Sequence, residues 1–144
     1  MNYITRKMIK SDEEEILKMM EVFYSSDAVS TNGSVEIFKK DFDMCIESSV
    51  LEGYVFCKDD EILGYSMLAK SFSTEFGKEC IWFEDFYLKP QYRNLHIIPE
   101  FIKYIKNLYP DVLFRVEAEK ENTHALHVYK KCGFQELPYI ELKR

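Results

Sequence analysis

Long apolar runs are absent from this sequence of 144 residues. No stretch approaches the roughly 20 apolar residues that a membrane-spanning helix needs, so no membrane partner is expected. The first ten residues place Arg6, Lys7 and Lys10 among single apolar residues and lack the continuous hydrophobic segment of a signal peptide. The sequence therefore predicts a cytoplasmic protein.

Cysteine is sparse, and basic residues are fewer than acidic ones. The four cysteines are widely spaced and form no Cys-x-x-Cys motif, so free thiols are expected rather than disulfides. The net charge of -6 argues against a nucleic-acid partner, which would need a basic surface, and mildly favours cationic ligands.

Repeats, low-complexity tracts and linkers are absent as well. Apolar residues make up 47% of the chain and charged residues 31%, the balance of an ordinary globular protein. A chain of this length can bury about two thirds of its unfolded surface in one core. Residues 1–144 are therefore expected to form a single domain.

Strands and helices are indicated by the spacing of the apolar residues. Ser11 and Glu14 are placed to form a capping box for a first helix, Ser34 to cap a second, and Asn122 to cap a last one. Residues 71–78 are expected to form a loop. The predicted strands are residues 3–8, 50–57, 62–69, 80–88, 113–118, 134–137 and 139–142. The resulting order, β, α, α, β, β, β, α, β, α, β, β, is typical of an α+β, or mixed α/β, fold with a sheet covered by helices.

Residues 80–101 join a strand, a short loop and a helix. The strand must end before Pro90, because proline cannot donate to the ladder. From Pro99 onward the apolar residues follow helical spacing, and proline is tolerated in a first turn. Such a junction directs free backbone N–H groups and the positive end of a helix dipole at one point, a common way to bind phosphate.

Two adjacent carboxylates, Glu84 and Asp85, lie in this strand, where neighbouring side chains point to opposite faces. One of them must then face the interior, and burial raises the pKa of a carboxyl group toward the range of a useful base. The alternative is a structural carboxylate at a strand edge, paired with Arg93 or Arg115.

The last helix carries a second group of polar residues. Asn122 and Tyr129 are seven residues apart and share a helix face. Spacing alone also fits a cap at Asn122 and a half-buried core aromatic at Tyr129. His124 and His127 have no second pair of ligands, so no metal site is expected. Cys132 lies at the helix C-terminus, the wrong end for lowering a thiol pKa, so an acyl-cysteine mechanism is not favoured.

These two regions resemble the GNAT superfamily of N-acetyltransferases. Residues 81–93, IWFEDFYLKPQYR, are similar to the fourth strand and following loop of its polyamine-acetylating (diamine) branch. Residues 122–134, NTHALHVYKKCGF, are similar to the family pattern Asn-x-x-Ala-x-x-Phe or Val-Tyr-x-x-x-Gly-Phe. The predicted element order is also that of the family, whose central mixed, mostly antiparallel sheet is flanked by helices.

The resemblance implies roles for the residues that match the family patterns. Glu84 would deprotonate the amine, and Tyr129 would lie beside the thioester sulfur as a general acid. Asn122 would hydrogen-bond the CoA arm, and the backbone of residues 86–88 would pair with pantetheine if the sheet splits there. The implied acetyl-CoA-binding residues are Phe86, Tyr87, Leu88, Arg93, Asn94, Leu95, His96, Ile97, Ile98 and Asn122.

Two functions follow from these expectations. The first is an acetyl-CoA-dependent N-acetyltransferase that acts on the primary amine of a small acceptor, in the favoured case a cationic one. The amine would attack the thioester directly in a ternary complex, and no metal would take part. The second is a degenerate member of the fold, a metabolite-binding or interaction module, because His96 and Ile98 stand where the family's phosphate loop has small residues. The joint presence of Glu84, Asn122 and Tyr129 favours the enzyme, and acetyl-CoA binding separates the two. A homodimer fits either, since dimers are the commonest oligomers and are frequent in the superfamily.

Overall fold

The computed structural model describes residues 2–29 and 31–144, which form a five-stranded sheet with helices on both faces. In order across the sheet, the strands are β1 (Ile4–Lys7), β2 (Leu51–Lys58), β3 (Glu61–Ser73), β4 (Lys78–Leu88) and β5 (Leu113–Val116). The helices are α1 (Glu13–Tyr24), α2 (Val35–Glu47), α3 (Ile97–Leu108) and α4 (Thr123–Lys131). Pairing is antiparallel from β1 to β4 and parallel between β4 and β5, which confirms the predicted mixed, mostly antiparallel sheet.

Each face of the sheet has its own hydrophobic core. Helices α1 and α2 pack on one face, and α3 and α4 on the other. Helix α3 buries Ile97, Phe101 and Ile105, whose spacing of four residues places them on one stripe. The ring centroid of Phe101 lies 5.1 Å from that of Phe56 and 5.6 Å from that of Phe86. Each such buried side chain contributes roughly 2 kcal/mol, so α3 is held firmly beside β4.

The start of α1 differs from the prediction. A 3-10 turn, Lys10–Asp12, precedes the helix, and the exposed Ser11 does not cap it. Asp12 directly precedes α1, but its side chain caps no N–H of the helix. It accepts the N–H of Ile9 at 2.9 Å and two hydrogen bonds from Arg6 at 2.8 and 3.0 Å. The predicted capping box of Ser11 and Glu14 was therefore wrong, because Ser11 lies inside the 3-10 turn and the helix begins only at Glu13.

The other two predicted caps are confirmed. The N–H of Ile37 donates to Ser34 Oγ at 3.3 Å, and the N–H of Ala125 donates to Asn122 Oδ1 at 3.2 Å. The predicted loop at 71–78 was wrong at both ends. The ladder continues until Ser73 pairs with Lys78, so only residues 74–77 form the turn.

The two predicted C-terminal strands, residues 134–137 and 139–142, are absent from the described structure. The N–H of Phe134 donates to the carbonyl of Tyr129, and no backbone hydrogen bond of the described residues involves residues 135–144. Pro138 has no N–H to give to a ladder. Ile140 and Leu142 are 88% and 89% exposed, so this apolar segment has no covering layer and β5 is the last strand of the sheet.

Candidate active site

A β-bulge in β4 carries Glu84. Met67 and Leu68 are neighbours in β3, but their partners Asp85 and Phe83 are two residues apart in β4, which leaves Glu84 without a partner. The extra residue breaks the alternation of side chains. Asp85 consequently lies in the core under α1, whereas Phe83 lies in the core on the opposite face.

Asp85 is the buried member of the carboxylate pair, with 3% of its surface exposed. Its Oδ1 accepts a hydrogen bond from the hydroxyl of Tyr24 at 2.8 Å, and its Oδ2 accepts one from Tyr65 at 2.9 Å. Burial raises the pKa of Asp85 to about 6, although both tyrosine hydroxyls lower it. This network ties the end of α1 to the centre of the sheet.

Glu84 lies at the surface of the same face. Partial burial raises the pKa of its carboxyl group, and the negative charges of Glu141 and Asp41 raise it further. Asp41, which belongs to α2, also raises the pKa of Asp85. Both carboxylates therefore lie near α2, and the bulge removes the regular alternation from which opposite faces were expected.

The two arginines that were candidates to pair with Glu84 have other neighbours. Arg93 Nε–H donates to the carbonyl of Leu88 at 3.0 Å, and its guanidinium lies 5.7 Å from the ring centroid of Tyr87. Arg115 has Glu75 as its ion-pair partner. Among the described residues Glu84 forms no ion pair, so it is not the paired structural carboxylate of the alternative.

Two further carboxylates, Glu117 and Glu141, lie near Glu84 beyond the end of β5. Together with Asp41 and Glu84 they form what we call the acidic face. Phe83 and Val116 are the last pair of the parallel ladder, so Glu117 follows β5 at the level at which Glu84 follows Phe83. A hydrogen bond with Glu141 raises the pKa of Glu117 to about 7, together with burial and the charges of Glu141 and Glu84. A cationic group placed here would be stabilised by several carboxylates.

The sheet splits at the same level. Strand β5 pairs with β4 over four residues only, whereas β4 continues to Leu88. Among the described residues, 84–88 therefore have no neighbouring strand on the β5 side. Apart from the Leu88 carbonyl, which accepts from Arg93 Nε, their outward N–H and C=O groups can pair with a ligand that adds like a strand. The split that the resemblance implied is present.

The loop that follows β4 contains two residues with left-handed backbone conformation. Asn94 has a φ of 63° and His96 a φ of 62°, in the region that favours glycine and that Asn and His enter more readily than most residues. His96 directly precedes α3, whose first two residues, Ile97 and Ile98, make no backbone hydrogen bond through their N–H groups. The Ile97 and Ile98 side chains pack into the α3 core, so they do not crowd the loop.

Tyr129 lies beside the unpaired part of β4 on the α3 face, and Asn122 precedes the same helix, α4, at its N-terminus. The ring centroid of Tyr129 is 6.3 Å from that of Phe86 and 5.9 Å from that of Phe134. Burial raises the pKa of Tyr129 to about 12, with a smaller contribution from Cys132. Its hydroxyl has no hydrogen-bond partner among the described residues, whereas Asn122 uses Oδ1 as the α4 cap and keeps its amide nitrogen for other partners.

Several residues of this region were not found from the sequence. Tyr24 and Tyr65 hold Asp85, and Asp41 and Glu117 add negative charge near Glu84. One signal was available for Tyr65: a tyrosine at the centre of an apolar strand needs a partner for its hydroxyl. The others depend on which helix covers which strand, and this is not visible in local spacing.

Two further observations concern cofactors and membranes. No three His, Cys, Asp or Glu side chains of the described residues are grouped as a metal site requires. No helix in residues 2–29 and 31–144 is long and apolar enough to cross a bilayer.

Comparison with known proteins shows the fold and the family of this chain. No curated protein matches it in sequence. Among solved structures, a possible acetyltransferase from Clostridium difficile 630 is 18% identical with a TM-score of 0.84, over 99% of this chain and 96% of that chain. A predicted acetyltransferase with acetyl-CoA from Clostridium acetobutylicum is 17% identical with a TM-score of 0.80, over 99% and 96%. AAC(6')-Iy, in complex with the bisubstrate analog CoA-S-monomethyl-acetylneamine, is 14% identical with a TM-score of 0.81, over 100% and 98%. The sequence model of the Acetyltransferase (GNAT) family matches residues 16–134, most of the chain, and the chain therefore belongs to that family.

Proposed function

We propose that this protein is an acetyl-CoA-dependent N-acetyltransferase that acetylates the primary amine of a small acceptor by direct attack within a ternary complex. The observation that carries the proposal is the position of Glu84, on a bulge at the level where β4 loses its β5 neighbour. A primary amine with a lysine-like pKa near 10.4 arrives protonated, so a base must act first. The raised pKa of Glu84 makes it a stronger base than an ordinary glutamate.

The free edge of β4 and the loop before α3 fit acetyl-CoA. Acetyl-CoA supplies the acetyl group in activated form, as a thioester. The backbone of Phe86, Tyr87 and Leu88 would hold its pantetheine arm, and the loop of residues 93–98 would hold its phosphates through the N–H groups before and within the first turn of α3. The left-handed backbone at Asn94 and His96 supports this role, because these two residues adopt φ values that a glycine-containing loop would adopt.

Tyr129 acts as a hydrogen-bond donor to the leaving sulfur. With a tyrosine pKa of about 12 and a thiol pKa near 8.5, complete proton transfer would be uphill by about 5 kcal/mol. A hydrogen bond from the unpartnered hydroxyl stabilises the developing thiolate without that transfer. Asn122 contributes its amide nitrogen to the CoA arm.

The acidic face that Asp41, Glu84, Glu117 and Glu141 form favours an acceptor that carries an ammonium group. Polyamines satisfy this condition, and so do aminoglycosides. The proposal includes no nucleic acid, membrane or metal. It places residues 1–144 in one cytoplasmic catalytic domain, with a homodimer as its assembly.

A screen of primary amines tests the proposal. Polyamines, aminoglycosides and amino acids would each be incubated with acetyl-CoA, and the release of free thiol would be followed. Amine-dependent release is expected for at least one class. If CoA binds but no amine accelerates thiol release, the protein is a binding module of this fold and not an enzyme.

A further inference from the structure

Arg115 lies at the open end of the acidic face. It is the β5 partner of Trp82, and it is two residues from Glu117, so both point to the same side of the sheet. Its guanidinium carbon lies 5.4 Å from the ring centroid of Trp82 and 5.8 Å from that of Phe76. Two aromatic rings thus hold a flat cation at the surface.

The N–H groups of this guanidinium have almost no partners. Glu75 Oε1 is 3.8 Å from Arg115 Nη2, too far for a hydrogen bond, and the other oxygen of Glu75 accepts the hydroxyl of Tyr139. Among the described residues, Arg115 Nε is the one buried side-chain nitrogen or oxygen without a hydrogen bond. Nε itself is buried, but the side chain as a whole is 24% exposed, so a ligand from solvent would meet the terminal Nη groups of the guanidinium.

The other arginines with partners in the structure are used differently. Arg6 forms two hydrogen bonds with the carboxylate of Asp12, and Arg93 donates to the carbonyl of Leu88. The guanidinium of Arg115 lies over the rings of Trp82 and Phe76, but ring faces do not satisfy the N–H groups at the edge of a guanidinium. The terminal Nη groups donate no hydrogen bond to the described residues, so they remain available to a ligand that accepts from them.

We propose that Arg115 binds a carboxylate of the acceptor, so that the substrates are amines that also carry a carboxylate, as amino acids do. This inference rests on the proposed function. A carboxylate accepts two parallel hydrogen bonds from a guanidinium, and the flanking rings of Trp82 and Phe76 would pack against the carbon skeleton. Arg115 and Glu84 are one strand and two residues apart, about 8 Å between Cα atoms, so one small molecule can reach both.

Matched pairs of amines test the inference. Lysine would be compared with 1,5-diaminopentane, and phenylalanine with 2-phenylethylamine, since each pair differs only in the carboxylate. The parent should acetylate the carboxylated member with the higher kcat/KM. Arg115→Gln should lower this preference about 10-fold or more, through a higher KM for the carboxylated member of each pair. Arg115→Lys, which keeps the charge and loses the paired geometry, should retain part of the preference.

Lys106→Gln is the control, because it removes one positive charge from the exposed side of α3, on the other face of the sheet. Its preference should equal that of the parent. The inference is wrong if the parent prefers the amines without a carboxylate, if Arg115→Gln leaves the ratio unchanged, or if only polyamines or aminoglycosides are acetylated. In those cases the acetyltransferase function stands. Absence of CoA binding and of thiol release with every amine would overturn both.

Discussion

The hydroxyl of Tyr24 donates to Oδ1 of Asp85 at 2.8 Å and joins the last residue of α1 to the strand that carries Glu84. Asp85 is buried, and its pKa is raised to about 6. The residue next to the candidate base is therefore a structural carboxyl group that titrates in an accessible pH range, and its effect on stability can be separated from the effect of Glu84 on activity.

Asp85→Asn tests the structural role of this carboxyl group. A folded-state pKa above the unfolded value means that protonation favours the folded protein, so this contribution is fully present below about pH 4 and is lost as the pH rises through about 6. The Asn variant does not titrate. Between pH 4 and pH 7, its free energy of unfolding should gain about 2 kcal/mol relative to the parent, measured by urea denaturation. A constant difference between the two proteins would contradict the raised pKa.

Glu84→Gln tests the base. In the parent, kcat/KM should fall as the pH drops through the raised pKa of Glu84. The variant depends on amine that is already deprotonated in solution, so its rate should rise about tenfold per pH unit toward the amine pKa near 10.4. Glu79→Gln, an exposed carboxylate in the same strand, is the matched control. Overlapping pH profiles of parent and Glu84→Gln would assign the base to another residue.

Tyr129→Phe removes one oxygen and keeps the ring that packs against Phe86 and Phe134. The variant should fold and bind CoA as the parent does, while acetyl transfer falls about 100-fold or more. Tyr104→Phe, on the exposed side of α3, provides the control and should keep full activity. Unchanged turnover of Tyr129→Phe would remove this hydroxyl from the mechanism.

His96→Gly tests the strained loop. Glycine adopts a φ of 62° without steric penalty, so the substitution should stabilise the protein by up to about 1 kcal/mol and keep or tighten CoA binding. His124→Gly, at an exposed helical position in α4, should instead destabilise by about 1 kcal/mol. Ile98→Gly is not an equivalent test, because it also removes a side chain from the α3 core. Thermal unfolding and CoA titration of both histidine variants test this prediction. Equal destabilisation by His96→Gly and His124→Gly would show that the backbone at His96 is not strained.

The order of the first nine elements could be predicted because each has a clear apolar period and a turn or cap at its ends. Ser34 and Asn122 are caps that need only their own helices. Pairing between distant segments was less predictable. The extra residue in β4 depends on its register with β3, and it removed the alternation that was expected to separate Glu84 from Asp85.

In the C-terminal segment, strands were predicted where none forms. Residues 134–142 have a strand-like composition, but composition does not supply a neighbouring strand, and the described structure leaves Ile140 in solvent. The loop of residues 93–98 was also judged on side chains alone. His96 has a left-handed φ that glycine would adopt easily, and no local pattern indicates that a histidine takes this conformation.

Calorimetric titration with CoA and with pantetheine tests the central claim most directly, since an acetyltransferase of this fold must hold the donor before any chemistry. If the split sheet and the loop before α3 form the donor site, CoA should bind one to one and at least tenfold more tightly than pantetheine. The difference reflects charge-assisted hydrogen bonds from the loop to phosphate, each contributing about 1.5 kcal/mol or more. No detectable heat with CoA, in the parent and in His96→Gly alike, would contradict the acetyltransferase function.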